Sequence, residues 1–380
     1  MAKIRVIHFV DRIGRGGTQA VLFDWLKNID PEKVQFDFLV FMDGQEEYIE
    51  KFKALGCNIY QISRLSMGNL LGFMADLNRF FREHKYDVAH GHSKSKNVLF
   101  LYAAKKNGVP VRIAHSHNTR FQKMAVVGEI MKPMLKWVAT DFFACSDVAG
   151  IWLFGKKAYD QGKITVIKNG VDTSKFQFRS DVRAQYRKAL GLENAAVYGH
   201  VGKYMEQKNH TFLLDIFSEI HKKQPSAKLL LAGGGNDNGV ALVNEKIRQL
   251  HLEDCVIQLG LRSDVPELMQ AMDVFLLPSL YEGLPVVGVE AQAAGLPLLL
   301  SDTITREVGL LDSTKYLSLK QPAEEWAREA IKLYENRGNN REQAFRRVYE
   351  QGFDSRVVAE QLTHLYSEKV ERCQSPRLEL

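Results

Sequence analysis

The chain has 380 residues, of which 45% are hydrophobic and 25% charged, and a formal net charge of +6. This length exceeds what one hydrophobic core usually serves and predicts two domains of similar size, while the composition excludes a disordered or fibrous protein. The cysteines have no metal-site or disulfide-scaffold spacing, which favours a reducing cytoplasm: Cys57, Cys145, Cys255 and Cys373. The charged start predicts no signal peptide, and no apolar run reaches the roughly 18 residues of a membrane span.

The charge is unevenly shared, because residues 1–170 carry a net +9 and residues 171–380 a net −3. A basic half indicates an anionic partner. Nucleic acid is not expected, since no nucleic-acid-binding module or block of lysine and arginine is present. An anionic membrane surface or a lipid-linked pyrophosphate acceptor is the alternative.

The first half alternates strand-like and helical runs, which predicts a doubly wound α/β domain. The predicted strands are Ile4–Val10, Phe36–Phe41, Asp87–His90, Val111–His115 and Phe142–Cys145, and the helices include Thr18–Asn28 and Phe73–Glu83. Gly14, Gly16 and Gly17 follow the first strand but do not make GxGxxG, so the dinucleotide fingerprint fails. Gly16 and Gly17 would still let a phosphate or sugar approach the backbone, and an ordinary loop remains the alternative.

Two amphipathic, basic segments, Arg64–Lys85 and Thr119–Trp137, are compatible with a lipid surface. For the first segment, packing on the domain's own sheet is favoured. His90, His92, His115 and His117 follow two neighbouring strands, but we reject a metal site because no acidic or cysteine ligand accompanies them and no DxD occurs. His115 is expected to face the opposite side of its strand from His117.

The second half again alternates strands and helices. The predicted strands are 197–203, Ala227–Ala232, Cys255–Leu259, Asp273–Leu277 and Leu298–Ser301, and the helices include Asn209–Lys222 and Val286–Ala294. Lys203 and Lys208 bracket a loop at a strand's carboxyl end, where cations suit a diphosphate. Arg262 follows another strand and is a candidate contact for a nucleotide base.

The stretch Ser279–Pro297 reads as the helical crossover between two strands, with Pro285 at the first helical position and Gly295 at the stop. Glu282 then lies in the turn before the helix and Glu290 on the helix, on either side of an anion site at its free N–H groups. Eight helical residues span about 12 Å, longer than the paired carboxyls of a glycosidase. The spacing suggests an elongated ligand with hydroxyls at both ends, as in a nucleotide sugar.

Glu282-x7-Glu290 with EGLP inside it, together with HSHNT at 115–119, resembles the signature of family 4 glycosyltransferases and is most similar to bacterial exopolysaccharide and capsule enzymes. The resemblance implies the GT-B fold, an α/β architecture of two doubly wound Rossmann-like domains facing across a cleft. It implies an acceptor-side domain at 1–170, a nucleotide-sugar domain at 171–355, and a final helix and tail at 356–380 that return to the first domain.

The resemblance also implies residue roles. Catalytic roles fall on His117, Lys208 and Glu282. Donor contacts fall on Gly16, Gly17, Lys203, Lys208, Arg262, Glu282, Gly283, Leu284, Val286, Val287 and Glu290. Lys203 departs from the arginine usual in the family, which keeps the charge but gives up bidentate geometry.

We therefore expect a retaining, metal-independent transferase without cofactor, which moves a hexosyl unit from a nucleotide-diphosphate sugar, with UDP expected, to a glycan or lipid-linked glycan. The expected location is the cytoplasm, with peripheral contact at the inner face of the cell membrane. An NAD-dependent oxidoreductase is one alternative, but neither the glycine loop at 14–17 nor the one at 233–239 has its fingerprint. A non-catalytic scaffold of a polysaccharide assembly complex is the other.

Overall fold

The computed structural model describes residues 3–119, 125–338 and 341–374. They form two compact units: the first unit contains residues up to Gly170 together with those from Ser355 onward, and the second unit is Val171–Asp354. Within the described residues, no helix has both the length and the apolarity to cross a bilayer.

The first unit is built on a parallel sheet. Its strands are β1 Ile4–Val10, β2 Val34–Val40, β3 Ile59–Gln61, β4 Val88–Gly91, β5 Val111–Ser116, β6 Asp141–Ala144 and β7 Ile164–Val166. Its helices up to the domain boundary are α1 Gly17–Asn28, α2 Glu46–Lys53, α3 Leu70–Glu83, α4 Asn97–Lys106, α5 Ala125–Met131, α6 Leu135–Val138, α7 Asp147–Phe154 and α8 Lys156–Asp160. The seven strands pair in the order β3-β2-β1-β4-β5-β6-β7.

Helices cover both faces of this sheet, so its central strands are buried almost throughout. In β1 only Arg5 is not buried. The helix α1 buries Val21, Leu22, Trp25 and Leu26, which recur every three or four residues and so make one apolar stripe.

The packing of α3 decides between the two alternatives for segment 64–85. Phe73, Leu77, Phe80 and Phe81 are buried in the core of the first unit. Core packing is therefore confirmed for this helix, although Leu70 and Leu71 at its start remain exposed.

The second unit repeats the same plan. Its strands are β8 Val197–Val201, β9 Lys228–Ala232, β10 Val256–Gly260, β11 Val274–Leu277, β12 Leu298–Ser301 and β13 Thr314–Leu317. Its helices are α9 Thr173–Phe176, α10 Ser180–Ala189, α11 His210–Lys223, α12 Asp237–Gln249, α13 Val265–Ala271, α14 Val286–Ala293, α15 Ala323–Glu335 and α16 Ala344–Val348. The six strands pair in the order β10-β9-β8-β11-β12-β13.

The last helix, α17 Ser355–Gln374, belongs to the first unit. Its Tyr366 hydroxyl lies 2.7 Å from Nδ1 of His90, and the Lys369 ammonium lies 2.6 Å from the Asp141 carboxylate. All four side chains are buried, so polar contacts as well as apolar packing fix this helix to the sheet.

Both strand orders reverse direction beside their first strand, which is the topology of a doubly wound fold. The reversal lies between β1 and β4 in the first unit and between β8 and β11 in the second. Ligands of such sheets bind beyond the carboxyl ends of the strands at this switch point. Functional residues are therefore expected in the loops that follow these four strands.

Candidate functional site

The loops after β8 and β11 meet at the switch point of the second unit, because the two strands pair in parallel. The first loop contains Lys203 and Lys208, and the second contains Glu282. Lys208 Nζ lies 2.8 Å from Glu282 Oε1, and both side chains are largely buried. Residues 74 positions apart are thus brought into one site.

Gln207 completes this contact. Its amide nitrogen donates to Glu282 Oε2 at 3.0 Å and to the carbonyl of Tyr281 at 3.0 Å. Asn209, which adopts the left-handed conformation, donates to the carbonyl of Pro278 at 3.1 Å. The two loops are therefore bound to each other by side chains that orient Lys208 and Glu282. Sequence analysis missed Gln207, and its place beside Lys208 was the one signal available.

The space for the Lys208 side chain depends on Gly202. A Cβ at position 202 would lie 3.0 Å from Nε2 of His200 and 3.3 Å from the Lys208 stem. His200 and His210 are both buried near this stem. Burial, and then the charge of Lys208, lowers the pKa of His210 to about 4. The buried imidazoles of His200 and His210 are therefore neutral, and Lys208 is the cation beside them.

The helix α14 begins beside Glu282 with open backbone donors. The sequence predicted Pro285 as the first helical residue, but Pro285 is the N-cap of α14. No side-chain hydrogen bond caps its first turn. That turn contains no acidic residue either, so its N–H groups favour an anion. Gly283, Leu284 and Val287 are buried around this start, and Val286 is half-buried. Glu290, one turn further along the helix, is half-buried.

The remaining candidates of the second unit are more exposed. Lys203 lies on the surface just after β8. Arg262 follows β10, where Nε and Nη2 both contact the carboxylate of Asp264. A base bound at Arg262 would therefore meet a guanidinium already paired on one edge.

In the first unit, Gly16 and Gly17 lie at the switch point. Gly17 is the first residue of α1, and no side-chain hydrogen bond caps this helix start. Arg15 N–H donates to Oε1 of Gln45 at 2.8 Å, which fixes the loop before the helix. The glycine pair therefore presents open backbone N–H groups, as expected for an anion-binding turn.

A chain of three imidazoles lies beside Trp25 of α1. His8 Nδ1 is 3.0 Å from His92 Nε2, and His92 Nδ1 is 2.8 Å from His117 Nε2. At the two ends of the chain, the His8 ring packs against Phe36 and Phe38, and Nδ1 of His117 is buried.

The His117 ring is partly exposed, but its nitrogens face inward. Nε2 bonds to His92, and Nδ1 is buried. Burial lowers the pKa of His117 to about 4 and that of His8 to about 3. His117 is therefore neutral near pH 7, and a contact with a sugar requires its ring to turn.

The prediction that His115 faces away from His117 is wrong. The two rings stack with centroids 4.1 Å apart, because residues two apart in a strand share a face. His115 Nδ1 lies 3.0 Å from His90 Nε2, and His90 continues to the Tyr366 hydroxyl. A second imidazole chain therefore lies beside the first.

The nitrogens of these histidines also form two groups compact enough for a metal ion, His8 with His90 and His92, and His92 with His115 and His117. Their shortest separations are those of hydrogen bonds, at 2.8 and 3.0 Å. Tetrahedral zinc with bonds of about 2.0 to 2.1 Å holds its nitrogens about 3.3 Å apart. Two pairs of these nitrogens therefore lie at N–H···N hydrogen-bonding distance. The basic residues Arg120 and Lys123 of segment 119–137 lie outside the described residues.

Known glycosyltransferase families match both halves of the chain. Residues 15–175 match the family model for Glycosyltransferase Family 4, and residues 195–336 match the model for Glycosyl transferases group 1. The chain is 32% identical over 377 residues to a protein of Bacillus subtilis (strain 168) that bears the name of glycosyltransferase EpsF, with 97% of each chain covered. It is 30% identical over 239 residues to the UDP-Gal:alpha-D-GlcNAc-diphosphoundecaprenol alpha-1,3-galactosyltransferase of Escherichia coli, with 60% of this chain and 61% of the relative covered.

Solved structures resemble the chain over nearly its whole length. Anabaena HepE in complex with UDP-glucose superposes with a TM-score of 0.80 at 20% identity, over 96% of this chain and 100% of that one. WaaG, a glycosyltransferase involved in lipopolysaccharide biosynthesis, gives 0.74 at 15% identity, over 95% and 99%. These similarities confirm the expected GT-B fold. With the match to EpsF and both family models, they show that the chain is a glycosyltransferase and belongs to glycosyltransferase family 4.

Proposed function

We propose that this enzyme moves a hexosyl unit from a UDP-sugar to a growing, lipid-linked exopolysaccharide or capsule glycan. The observation that carries the donor assignment is the contact of Lys208 with Glu282 at the switch point, beside the open start of α14. A cation and free N–H groups suit a diphosphate, and a carboxylate accepts from a sugar hydroxyl. HepE was crystallised with UDP-glucose, and the Escherichia coli relative is named for UDP-Gal and a diphosphoundecaprenol acceptor, which supports both partners.

In the proposed reaction, the acceptor hydroxyl oxygen bonds to the anomeric carbon while the bond from that carbon to the phosphate oxygen breaks. The electron pair goes to the diphosphate, which Lys203, Lys208 and the start of α14 stabilise. The acceptor's proton passes to a β-phosphate oxygen, and we assign no protein general base. Retention of the anomeric configuration rests on the family resemblance.

The remaining side chains bind and orient the donor. Glu282 and His117 hold the sugar, and Glu290 holds the ribose hydroxyls. Arg262 lies at the base. The N–H groups of Gly16 and Gly17 approach the phosphates, and Gly283, Leu284, Val286 and Val287 shape the wall around them.

The enzyme is proposed to need no metal and no cofactor, because two lysines and a helix start supply the positive charge for the leaving group. A chelator added to a transfer assay tests this point. Activity that collapses with EDTA and returns with Mg²⁺ or Mn²⁺ would contradict it. Proton NMR of the product tests retention through the coupling constant at the new anomeric centre.

Contact with an anionic membrane is proposed at α5 and α6, where the apolar residues Val126, Ile130 and Trp137 are 67 to 74% exposed. The exposed Lys136 lies between these residues in sequence and adds positive charge. Co-sedimentation with phosphatidylglycerol vesicles, but not with phosphatidylcholine vesicles, is the expected result. Ile130→Gln/Trp137→Gln should lose it, whereas Leu242→Gln, at an exposed leucine of α12, should not.

The decisive experiment is a screen of UDP-, GDP- and ADP-sugars for release of the nucleotide, first without and then with a diphosphoundecaprenol-linked sugar. We expect slow hydrolysis of one UDP-sugar and faster turnover with the acceptor. Release from a GDP- or ADP-sugar alone would overturn the UDP assignment. A non-catalytic scaffold would release no sugar from any donor.

A further inference from the structure

The second unit has a cavity of about 500 Å³ at the amino ends of its strands, on the side of the sheet opposite to Lys208 and Glu282. Asp273 and Pro297, which directly precede β11 and β12, lie in its wall. Lys208 and Glu282 lie beyond the other ends of the strands. The cavity is therefore separate from the proposed donor site.

Positive charge dominates the cavity wall. Among the described residues that line it, the charged ones are four arginines and two aspartates: Arg183, Arg337, Arg341, Arg347, Asp273 and Asp312. The carboxylate of Asp312 is fully exposed to water, so Asp273 is the one buried acid of the wall. A fifth guanidinium, that of Arg187, also pairs with Asp273, at 3.1 Å. The positive charges are thus not matched by buried carboxylates.

The inner arginines are bound to the fold. Arg183 donates to the carbonyls of Gln270 and Met272 and to Asp273, at 2.6 to 2.9 Å. Arg341 donates to three carbonyls at 2.9 to 3.0 Å. Most of these carbonyls end α13, whose dipole offsets about half a charge. Burial, and then the charge of Arg183, lowers the pKa of Arg341 to about 9, as expected where cations gather without enough anions.

The outer two arginines keep donors for a ligand. Arg337 lies over the ring of Tyr334 and donates from one Nη to the Tyr334 carbonyl, while its Nε is 3.7 Å from Asp273, beyond hydrogen-bonding distance. The guanidinium of Arg347 makes no hydrogen bond to any described residue, and its ion pair with Asp312 spans 3.6 Å. A guanidinium offers paired N–H groups that match two phosphate oxygens.

We propose that this cavity is a second anion-binding site, which takes a phosphate-bearing small molecule between Arg337 and Arg347 with the inner arginines behind it. Its volume is sufficient for a sugar phosphate or a nucleotide, and both sources share the phosphate that the arginines recognise. The site does not depend on the proposed transfer reaction.

The cavity also touches the far end of α14. Gly295, in its wall, has φ +70°, and a Cβ there would lie 2.7 Å from Cβ of Arg341. An anion in the cavity would therefore act on the segment that packs against the end of α14, while the donor site lies at its start. We therefore expect an anion bound in the cavity to change the affinity of the donor site.

The test uses isothermal titration of the full chain with inorganic diphosphate, at constant ionic strength maintained with sodium chloride. Four variants are compared with the wild type: Arg337→Gln/Arg347→Gln, Arg347→Gln alone, Lys208→Ala, and the control Arg328→Gln/Lys332→Gln. The control removes two cations from exposed ion pairs on α15. Arg347 is largely exposed, so its single variant stays folded even if the double variant does not.

We expect a saturable site that Arg337→Gln/Arg347→Gln weakens about tenfold or more and Arg347→Gln about threefold, because charge-assisted contacts are lost. Lys208→Ala and the control should retain it. Titrations with glucose 6-phosphate and with UMP then show whether the site prefers a sugar phosphate or a nucleotide. Binding that Lys208→Ala abolishes, that the arginine variants leave unchanged, or that is absent in the wild type would overturn the proposal.

Discussion

The Lys208 ammonium and the Glu282 carboxylate lie 2.8 Å apart, in side chains that are only 15% and 10% exposed. Each holds the other in place while the donor is absent. A diphosphate that binds Lys208 competes with Glu282 for the ammonium group. A sugar hydroxyl can then donate a hydrogen bond to the Glu282 carboxylate. In the proposed donor site, the pair therefore supplies a cation for the diphosphate and a carboxylate for a sugar hydroxyl.

Lys208→Ala and Glu282→Ala should each lower kcat/KM for transfer by about 10² to 10³, because each removes a preorganised contact with the reacting donor. Lys222→Ala is the matched control, since Lys222 forms an ion pair with Glu219 on the exposed face of α11. Circular dichroism verifies that the variants are folded. Transfer at the wild-type rate in both site variants would refute the assigned roles.

The same pair should also appear in stability. Removing one member leaves the other buried without its counter-ion, which costs about 2 to 4 kcal/mol, whereas Lys208→Ala/Glu282→Ala removes both charges and should cost less than the sum. Urea unfolding of the four proteins at pH 7 gives the coupling free energy. Strict additivity would mean that the two groups do not interact in solution.

Acid should destabilise the chain between about pH 6.5 and 4. His8 and His117 have pKa values lowered by burial to about 3 and about 4, so they remain neutral in the folded state while the unfolded chain binds protons from pH 6.5 downward. The unfolded state then holds more protons, and stability falls as the pH falls. At pH 5 each such histidine costs about 2 kcal/mol relative to pH 7.

Urea unfolding at pH 7, 6 and 5 checks this slope. His8→Phe, next to Phe36 and Phe38, removes one titrating group and should flatten the slope, although it leaves His92 Nε2 without its partner and so lowers stability at pH 7. The exposed His364→Gln should leave the slope unchanged. An equally steep loss in His8→Phe would assign acid sensitivity to other groups.

The limits of sequence analysis follow from burial. Strands with both faces covered, such as β1 and β12, are rich in apolar residues and were predicted to the residue. The strands β3, β7 and β13 were missed, because they contain three or four residues and stay partly exposed. A short strand that is not fully buried needs no apolar run, and its pairing comes from the neighbouring strand.

The candidate site divides in the same way. The charges at Lys203, Lys208 and Glu282 could be found because the carboxyl ends of parallel strands attract ligands. The contact of Lys208 with Glu282 and the support from Gln207 could not, since they depend on which strands pair. The imidazole chains likewise need the register that places His8 opposite His90. His8 carries no motif of its own.

Lys369→Met should weaken the attachment of α17. The ammonium of Lys369 lies 2.6 Å from Asp141, and both side chains are 8% exposed. The variant leaves Asp141 with the Thr140 hydroxyl and a longer contact to Arg372, at a cost of about 2 to 4 kcal/mol. Amide hydrogen exchange should accelerate along α17. Lys332→Met, in an exposed pair with Glu329, is the control, and equal exchange in both variants would contradict this anchor.

Zinc should not stabilise the chain through the histidines of the first unit. His92 is common to both compact groups, but its nitrogens lie 2.8 and 3.0 Å from His117 and His8, closer than the roughly 3.3 Å between ligands of one tetrahedral zinc. An ion that binds only the folded state raises the unfolding midpoint by mass action. Thermal unfolding is measured with micromolar zinc chloride and again with EDTA. The midpoint with zinc should equal the midpoint with EDTA, both in the wild type and in His92→Asn. A rise with zinc in the wild type that disappears in His92→Asn would show that these imidazoles bind metal and that their hydrogen bonds give way to it.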